Sequence, residues 1–144
     1  ALRLAKKNAK LNQVDERIFF VRGDMFGAIL GGSQKFTAVV TNPPYISDAE
    51  ILELPREIRD FEPHHALEGG PDGLAVIRRI IAEAPTVLSP AGALFMEMGA
   101  DQTESVSALV TDSQHYQRDP CLRYVAIHDA GFLPLLPDCA NIPS

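Results

Sequence analysis

The sequence predicts an α/β fold with a mostly parallel sheet covered on both faces. Short apolar runs rich in β formers alternate with amphipathic helical segments, and Gly/Pro/Asn/Ser clusters separate the two kinds.

Residues 1–11 read as a helix, with Leu4 and Leu11 on one stripe and Lys6, Lys7 and Lys10 mostly off it. No N-cap precedes that helix, so the chain is expected to begin inside a larger fold. Residues 17–22 (RIFFVR) read as a strand, followed by a loop at Gly23-Asp24-Met25-Phe26 and a turn at Gly31-Gly32-Ser33. Residues 36–41 (FTAVVT) form a second strand that stops abruptly at Asn42-Pro43-Pro44-Tyr45. Ser47 with Glu50 three residues on has the spacing of a capping box, which starts a helix over residues 47–53. Residues 55–73 read as an ordered loop. Residues 74–88 read as a helix, because Leu74, Ile77, Ile81, Ala84 and Leu88 form a stripe while Arg79 and Glu83 face away. Ser89-Pro90-Ala91-Gly92 is a turn, residues 93–98 (ALFMEM) a buried strand, residues 101–110 a helix and residues 122–128 (LRYVAIH) a last strand. Beyond Gly131 the tail has three prolines and little pattern.

The 144 residues are 46% hydrophobic and 22% charged, enough for one domain with a real core. No apolar run reaches the ~18 residues of a membrane span, and the N-terminus reads as mid-helix rather than as a targeting segment. The net charge of −6 argues against long-range attraction to nucleic acid, and Lys6, Lys7 and Lys10 read as a solvated helix face. Cys121 and Cys139 make neither a disulfide framework nor a zinc site, which suits a reducing compartment, so the cytoplasm is expected.

The residues that carry chemistry are those after the second strand. In open α/β sheets ligands bind beyond the carboxyl ends of strands, and both the loop at residues 23–26 and the loop at residues 42–45 leave a strand there. Asn42 and Pro43 each precede a proline, which pushes them towards extended conformations, and Pro43 and Pro44 have fixed φ. The loop is therefore stiff before any ligand arrives. The prolines cannot donate N–H bonds, so their carbonyls are the polar groups on offer; Asn42 adds a side-chain acceptor and donor, and Tyr45 a flat ring. Together these form a clamp for a planar –CO–NH₂ or aromatic –NH₂ group. An amide nitrogen is a poor nucleophile because its lone pair is delocalised. Two carbonyl acceptors on its hydrogens favour charge build-up as it attacks a methyl group, and fix the lone pair for in-line displacement.

These residues resemble the protein-(glutamine-N5) methyltransferases of peptide chain release factors, the HemK/PrmC family. Asn42-Pro43-Pro44-Tyr45-Ile46 is similar to the family's signature loop. The stretch from Phe61 to Leu74 (FEPHHALEGGPDGL) is similar to its second and more diagnostic one. The stretch from Leu94 to Gln102 (LFMEMGADQ) resembles its strand-to-helix passage, and Lys6-Lys7-Asn8-Ala9 the helix after its second strand. The resemblance covers about residues 1–110. It implies a Rossmann-like class I fold, S-adenosyl-L-methionine as methyl donor, and the glutamine of a release factor's Gly-Gly-Gln loop as acceptor. It implies that Asn42 binds the amide through its side chain and Pro43 through its carbonyl, with Pro44 and Tyr45 completing the substrate site and Asn42 also near the cofactor. Asp24 would sit near the adenine amino group and Met25 on the adenine ring.

On the same resemblance the family's glycine-rich loop, ribose-binding acid and N-terminal helical domain fall before Ala1. Residues 1–144 are accordingly expected to be a partial catalytic domain that binds the cofactor weakly or not at all. His128-Asp129-Ala130-Gly131 stands where the family closes with Asp-x-x-Gly, and residues 113–121 read as extra length. Other polar residues have plainer readings. Glu62 and Glu97 are candidate acids or bases, with a structural role the competing reading. His64-His65 has no third ligand at useful spacing, so no metal site is expected. Asp72 and Asp101 read as helix caps. Two rival functions fit the same residues: a nucleic-acid adenine-N6 amino-methyltransferase, whose exocyclic amine suits the same clamp, and a non-catalytic fragment that has lost cofactor binding.

Overall fold

The computed structural model describes residues 1–32 and 35–116. They fall into two compact units, Ala1–Ser33 and the residues from Gln34 onward. The strand expected at residues 122–128, the segment His128–Gly131 and both cysteines lie outside the described residues, as does most of residues 113–121.

The first unit holds α1 (Leu2–Leu11), in which Ala9 is the buried residue while Leu4 and Leu11 stay exposed, so the expected leucine stripe is not the buried face. A 3₁₀ turn, Asp15–Arg17, follows. The strand expected at residues 17–22 is absent. Its β formers have no neighbouring strand in this unit to supply ladder hydrogen bonds, and Arg17 instead donates its N–H to Val14 at 3.0 Å. Phe20 packs under the Lys6 ammonium, 5.9 Å from the ring centre. Residues 24–31 are a run of turns closed by Gly27 N–H to Asp24 O at 3.0 Å and Leu30 N–H to Phe26 O at 2.9 Å.

The second unit is an α/β layer. Strand β1 (Phe36–Thr41) pairs in parallel with β2 (Leu88–Met96). Between them run α2 (Asp48–Glu53), a short α3 (Arg56–Arg59), a 3₁₀ turn (His64–Ala66) and α4 (Ala75–Glu83). After β2 a 3₁₀ turn, Ala100–Gln102, leads into α5 (Thr103–Ser113). Several boundaries differ from expectation: β2 ends at Met96 rather than at residue 98, α5 runs over Thr103–Ser113 rather than 101–110, and three further differences have a local cause. The loop expected over residues 55–73 contains α3 and the 3₁₀ turn. Helix α4 stops at Glu83 rather than reaching residue 88, because Pro85 cannot continue the i→i−4 ladder; Ala84–Thr86 tightens into 3₁₀ geometry and Leu88 starts the strand. Residues 89–92, expected as a turn, are taken into β2, where the register jumps from Phe36↔Leu88 to Ala38↔Ala93. That irregularity absorbs the Ser-Pro-Ala-Gly sequence.

The core lies on one side of the strand pair. Leu74, Ile77, Ile81, Met98 and Val106 form it, with Met96, Leu109, Val110 and Tyr116 packed around them. Ile77 is 0% exposed. The Tyr116 hydroxyl donates to Ile81 O at 2.9 Å, and burial pushes its pKa up to about 12. On the opposite face stand Val40 and its register partner Phe95. A single crossover connects the two strands, and one crossover covers one face.

Ile77→Ala should destabilise the protein by about 2–5 kcal/mol, through lost burial and the cavity left in a core that closes on it from α4, α5 and β2. Urea denaturation with an unchanged slope and a lowered midpoint would show it; an unaltered midpoint would contradict this core.

Candidate functional site

The site is built where β1 ends. Thr41 is the last strand residue, and its carbonyl accepts the Glu97 N–H at 3.0 Å, so the sheet ladder runs to the very edge of the loop. Asn42 is exposed, Pro43 is buried, and Pro44 and Tyr45 are half-buried. With Ile46, Ala66 and Leu67 they line a shallow depression of about 150 Å³. Asn42 is thus not sealed beneath side chains, which the clamp requires.

The far end of the loop is held twice. Ile46 N–H donates to Leu67 O at 3.1 Å and Gly69 N–H to Ile46 O at 2.8 Å, a one-residue parallel bridge between the proline loop and the stretch that precedes α4. The Tyr45 carbonyl accepts from the side chain of Gln102 at 2.9 Å. Gln102 is 8% exposed, and its carbonyl oxygen accepts the Gly99 N–H at 3.1 Å, so both ends of its amide are engaged. Gly73 closes over this point with φ +72°. A Cβ there would stand 2.3 Å from Tyr45 O and 2.5 Å from Gln102 Nε2. Only a residue without a side chain lets the two loops approach this closely.

The tyrosine ring packs against the core cluster while also lining the depression. Its hydroxyl donates to Glu97 Oε1 over a long 3.4 Å. Burial, and then the Glu97 carboxylate, raise its pKa above the ordinary phenol value. Beyond the loop, α2 opens with the capping box expected from sequence: Glu50 N–H donates to Ser47 Oγ at 3.3 Å and Ser47 N–H to Glu50 Oε2 at 2.9 Å. The Ser47 hydroxyl, which donates to Glu50 Oε2, and then the Ser47 N–H hold the Glu50 carboxyl below its usual pKa. Asp72 accepts Leu74 N–H at 3.1 Å at the entrance to α4 and pairs with the Arg78 guanidinium, which brings its pKa down to about 2. Asp101 lies within the 3₁₀ turn, and α5 has no side-chain cap bond at its N-terminus. The cap-like role at that turn falls to Gln102.

Asp24 and Met25 belong to the other unit. Asp24 is exposed at the start of the turn run, and Met25 is half-buried with φ +47°, a left-handed conformation uncommon for a residue with a side chain. The chemistry of the pair, a carboxylate acceptor followed by a polarizable thioether, fits an amino-bearing aromatic ring. Among the described residues no three His, Cys, Asp or Glu side chains converge as metal ligands, and no helix is long and apolar enough to cross a membrane. His64 instead faces Glu68 at 3.3 Å on an exposed surface. Sequence reasoning named every residue of the depression's loop, but missed Gln102 and Gly73 as its supports. The glycine-rich stretch Gly69-Gly70-Pro71-Asp72-Gly73 was the available signal.

A parallel strand pair joined through helices, with a stiff ligand-facing loop at its carboxyl edge, is consistent with the Rossmann-like class I S-adenosylmethionine-dependent methyltransferase fold. Comparison with known proteins narrows the class. The chain is 36% identical over 137 residues to the release factor glutamine methyltransferase of Thermosynechococcus vestitus, covering 95% of this chain and 47% of that protein. It is 46% identical over 111 residues to the protein of the same name from Nitratidesulfovibrio vulgaris, covering 77% and 37% respectively. Against that of Rhodospirillum rubrum it is 40% identical over 110 residues, covering 76% and 33%. No family model matches the chain. The resemblance to release factor glutamine methyltransferases read from the motifs therefore holds over most of this chain, which spans less than half the length of these curated relatives.

The Asp72–Arg78 pair gives the stretch beside the site a definite pH signature. The folded-state pKa lies below the unfolded value of about 3.9, so the contribution to stability is complete above that value and is lost as pH falls towards about 2. Asp72→Asn should lower the melting temperature slightly near neutral pH, and by less at high salt, because the pair is half exposed. Melting curves of native and variant protein should converge by about pH 2; a constant gap across the acid range would contradict the pairing.

Proposed function

We propose that the protein is part of an enzyme that transfers a methyl group from S-adenosyl-L-methionine to the side-chain amide nitrogen of a glutamine in a peptide chain release factor. Residues 1–144 would supply part of its catalytic domain. The observation that carries the reading is the exposed Asn42 at the mouth of a depression walled by its own proline-stiffened loop. The relatives' shared name, release factor glutamine methyltransferase, favours glutamine over a nucleobase as acceptor. The acidic balance of the chain points the same way.

In this reading the Asn42 side-chain oxygen and the Pro43 carbonyl accept the two N–H bonds of the glutamine amide. Pro44 and Tyr45 wall the flat group, the ring lying along the amide or its aliphatic stem. Bound S-adenosylmethionine supplies a methyl group on a positively charged sulfur. The acceptors draw electron density onto the amide nitrogen and hold its lone pair in one direction, and the nitrogen that gains the methyl group gives up one of its protons to water, so the chain contributes orientation and preorganised dipoles rather than a strong base. Asn42 also borders the cofactor in this assignment, and Asp24 and Met25 are assigned to the adenine amino group and ring by the resemblance. The Gly-Gly-Gln loop of the release factor is the proposed partner segment. The cytoplasm, where release factors act, is the proposed compartment.

The test is mass spectrometry of candidate release factors after incubation with the full protein and S-adenosylmethionine. A gain of one methyl on the glutamine of the Gly-Gly-Gln loop is expected, and an unmodified glutamine with methylated DNA or RNA would favour the nucleic-acid reading. Asn42→Ala should cut kcat by ~10² or more, the scale seen when a key preorganised hydrogen-bond partner is removed. Tyr45→Phe should be milder, because it is the ring that is asked to act and the hydroxyl makes only its long contact with Glu97.

A further inference from the structure

We infer that Gln102 is a positioning residue for the proposed methyl transfer, acting through the carbonyl of Tyr45 rather than by touching the substrate. The inference rests on the reading of the proline loop given above. Two backbone carbonyls bracket that loop. Thr41 O, immediately before Asn42, accepts from Glu97 N–H at 3.0 Å. Tyr45 O, at its far end, accepts from Gln102 Nε2 at 2.9 Å. Both donors come from one short segment, residues 97–102, in which Gly99 N–H is tied back to Gln102 Oε1 at 3.1 Å. The loop and this segment therefore close a ring. One side is stiffened by Pro43 and Pro44, and the other is fixed by a buried side-chain amide with both ends engaged.

Stiffness alone does not aim the clamp. A proline pair keeps its own shape, but as a rigid arm it can still swing about the bonds at either end. The bond at Thr41 belongs to the sheet ladder and fixes the near end. At the far end the Ile46 bridge supports the chain from the side of the pre-α4 stretch, and Gln102 is the side chain that reaches the Tyr45 peptide itself. Gly73 leaves that approach free: a Cβ there would lie 2.5 Å from Nε2. Withdrawing the Gln102 donor releases the far end of the loop by a fraction of an ångström or more, and misplacement on that scale is costly to a reaction that depends on alignment.

Two shape-preserving variants in the full protein test this. Gln102→Glu replaces the donor by a carboxyl that, once ionised, repels the Tyr45 oxygen, and Gln102→Met removes donor and acceptor together. Each is compared with Asn42→Ala in release-factor methylation. The expected result is a kcat lower by about 10- to 100-fold, with KM for S-adenosylmethionine within about twofold of native and activity measured well below the melting temperature of each variant. The Gln102→Glu deficit should deepen as pH rises and the introduced carboxyl ionises, a dependence that mere loss of stability would not produce at a temperature where the variant stays folded. Native kcat in both Gln102 variants, with Asn42→Ala impaired, overturns the positioning role and leaves the proposed function standing. Native kcat in all three variants overturns both. Should the variants fail to fold, the native protein decides by NMR. A scalar coupling across the hydrogen bond from Gln102 Nε2 to the Tyr45 carbonyl carbon is expected, and its absence in a well-resolved spectrum overturns the inference.

Discussion

The contact between the Gln102 side-chain amide and the Tyr45 carbonyl is where the second unit's separate parts meet. The proline loop, the glycine-bearing stretch before α4 and the 3₁₀ turn before α5 all reach it, and each is shaped to do so. Gly73 gives up a side chain and takes a left-handed φ so that its backbone can lie over the Tyr45 oxygen. Gln102 is buried with no unsatisfied polar atom, because the turn that carries it offers Gly99 N–H as a second partner. A buried amide lacking either partner would cost roughly 1–3 kcal/mol. The contact is favourable only because all three segments are in register, and the register of β1 against β2 is what brings two of them together.

Magnitudes separate what holds this unit from what merely decorates it. The ion pairs Arg56–Asp60, Arg79–Glu83 and Asp72–Arg78 lie at the surface, where solvent screens them and little stability is gained. The capping box of α2 is worth on the order of 1 kcal/mol, but it has a geometric consequence that exceeds its energy. It fixes the chain direction two residues after Tyr45, so the loop leaves the site along a defined path. Burial of the apolar cluster around Ile77 stabilises the unit more than these polar contacts do. Tyr45 joins the two scales: its ring packs on that cluster while its carbonyl is held by Gln102, so the site is bonded to the core rather than laid on it.

Local chemistry was legible wherever the sequence carried its own geometric instruction. FTAVVT is rich in β formers and has a Pro-Pro stop, and β1 spans Phe36–Thr41. Ser47 and Glu50 have the spacing of a capping box, and both capping bonds form. The stripe through Leu74, Ile77 and Ile81 is buried as read. What escaped depended on partners distant in the chain. RIFFVR has strand composition, but a strand exists only beside another strand, and the described residues of the first unit provide none. Leu88 fits a helical stripe and a strand equally well, and Pro85 three residues earlier was the signal to prefer the strand. Gln102 was visible only as one letter of a family passage. Nothing local announces that a glutamine at a turn will donate to a carbonyl 57 residues away. Its partner signal, a glycine in a Gly-Gly-Pro-Asp-Gly stretch, marks a close approach without saying to what.

A clamp made of two prolines and backbone carbonyls gives up adaptability. A loop of ordinary residues can shift its φ and ψ to meet a substrate; this one has φ fixed at two consecutive positions and its neighbours restricted as well. On the proposed reading its acceptors have to be aimed in advance, and the work of aiming falls on residues that do not meet the substrate. That is the reason to look for function in Gln102 and Gly73 as well as in Asn42. On the proposed reading the reacting amide nitrogen is weakly nucleophilic and no strong base is offered, so alignment and preset dipoles must supply most of the rate. On that reading the same stiffness that makes the loop recognisable in the sequence gives its anchors their importance.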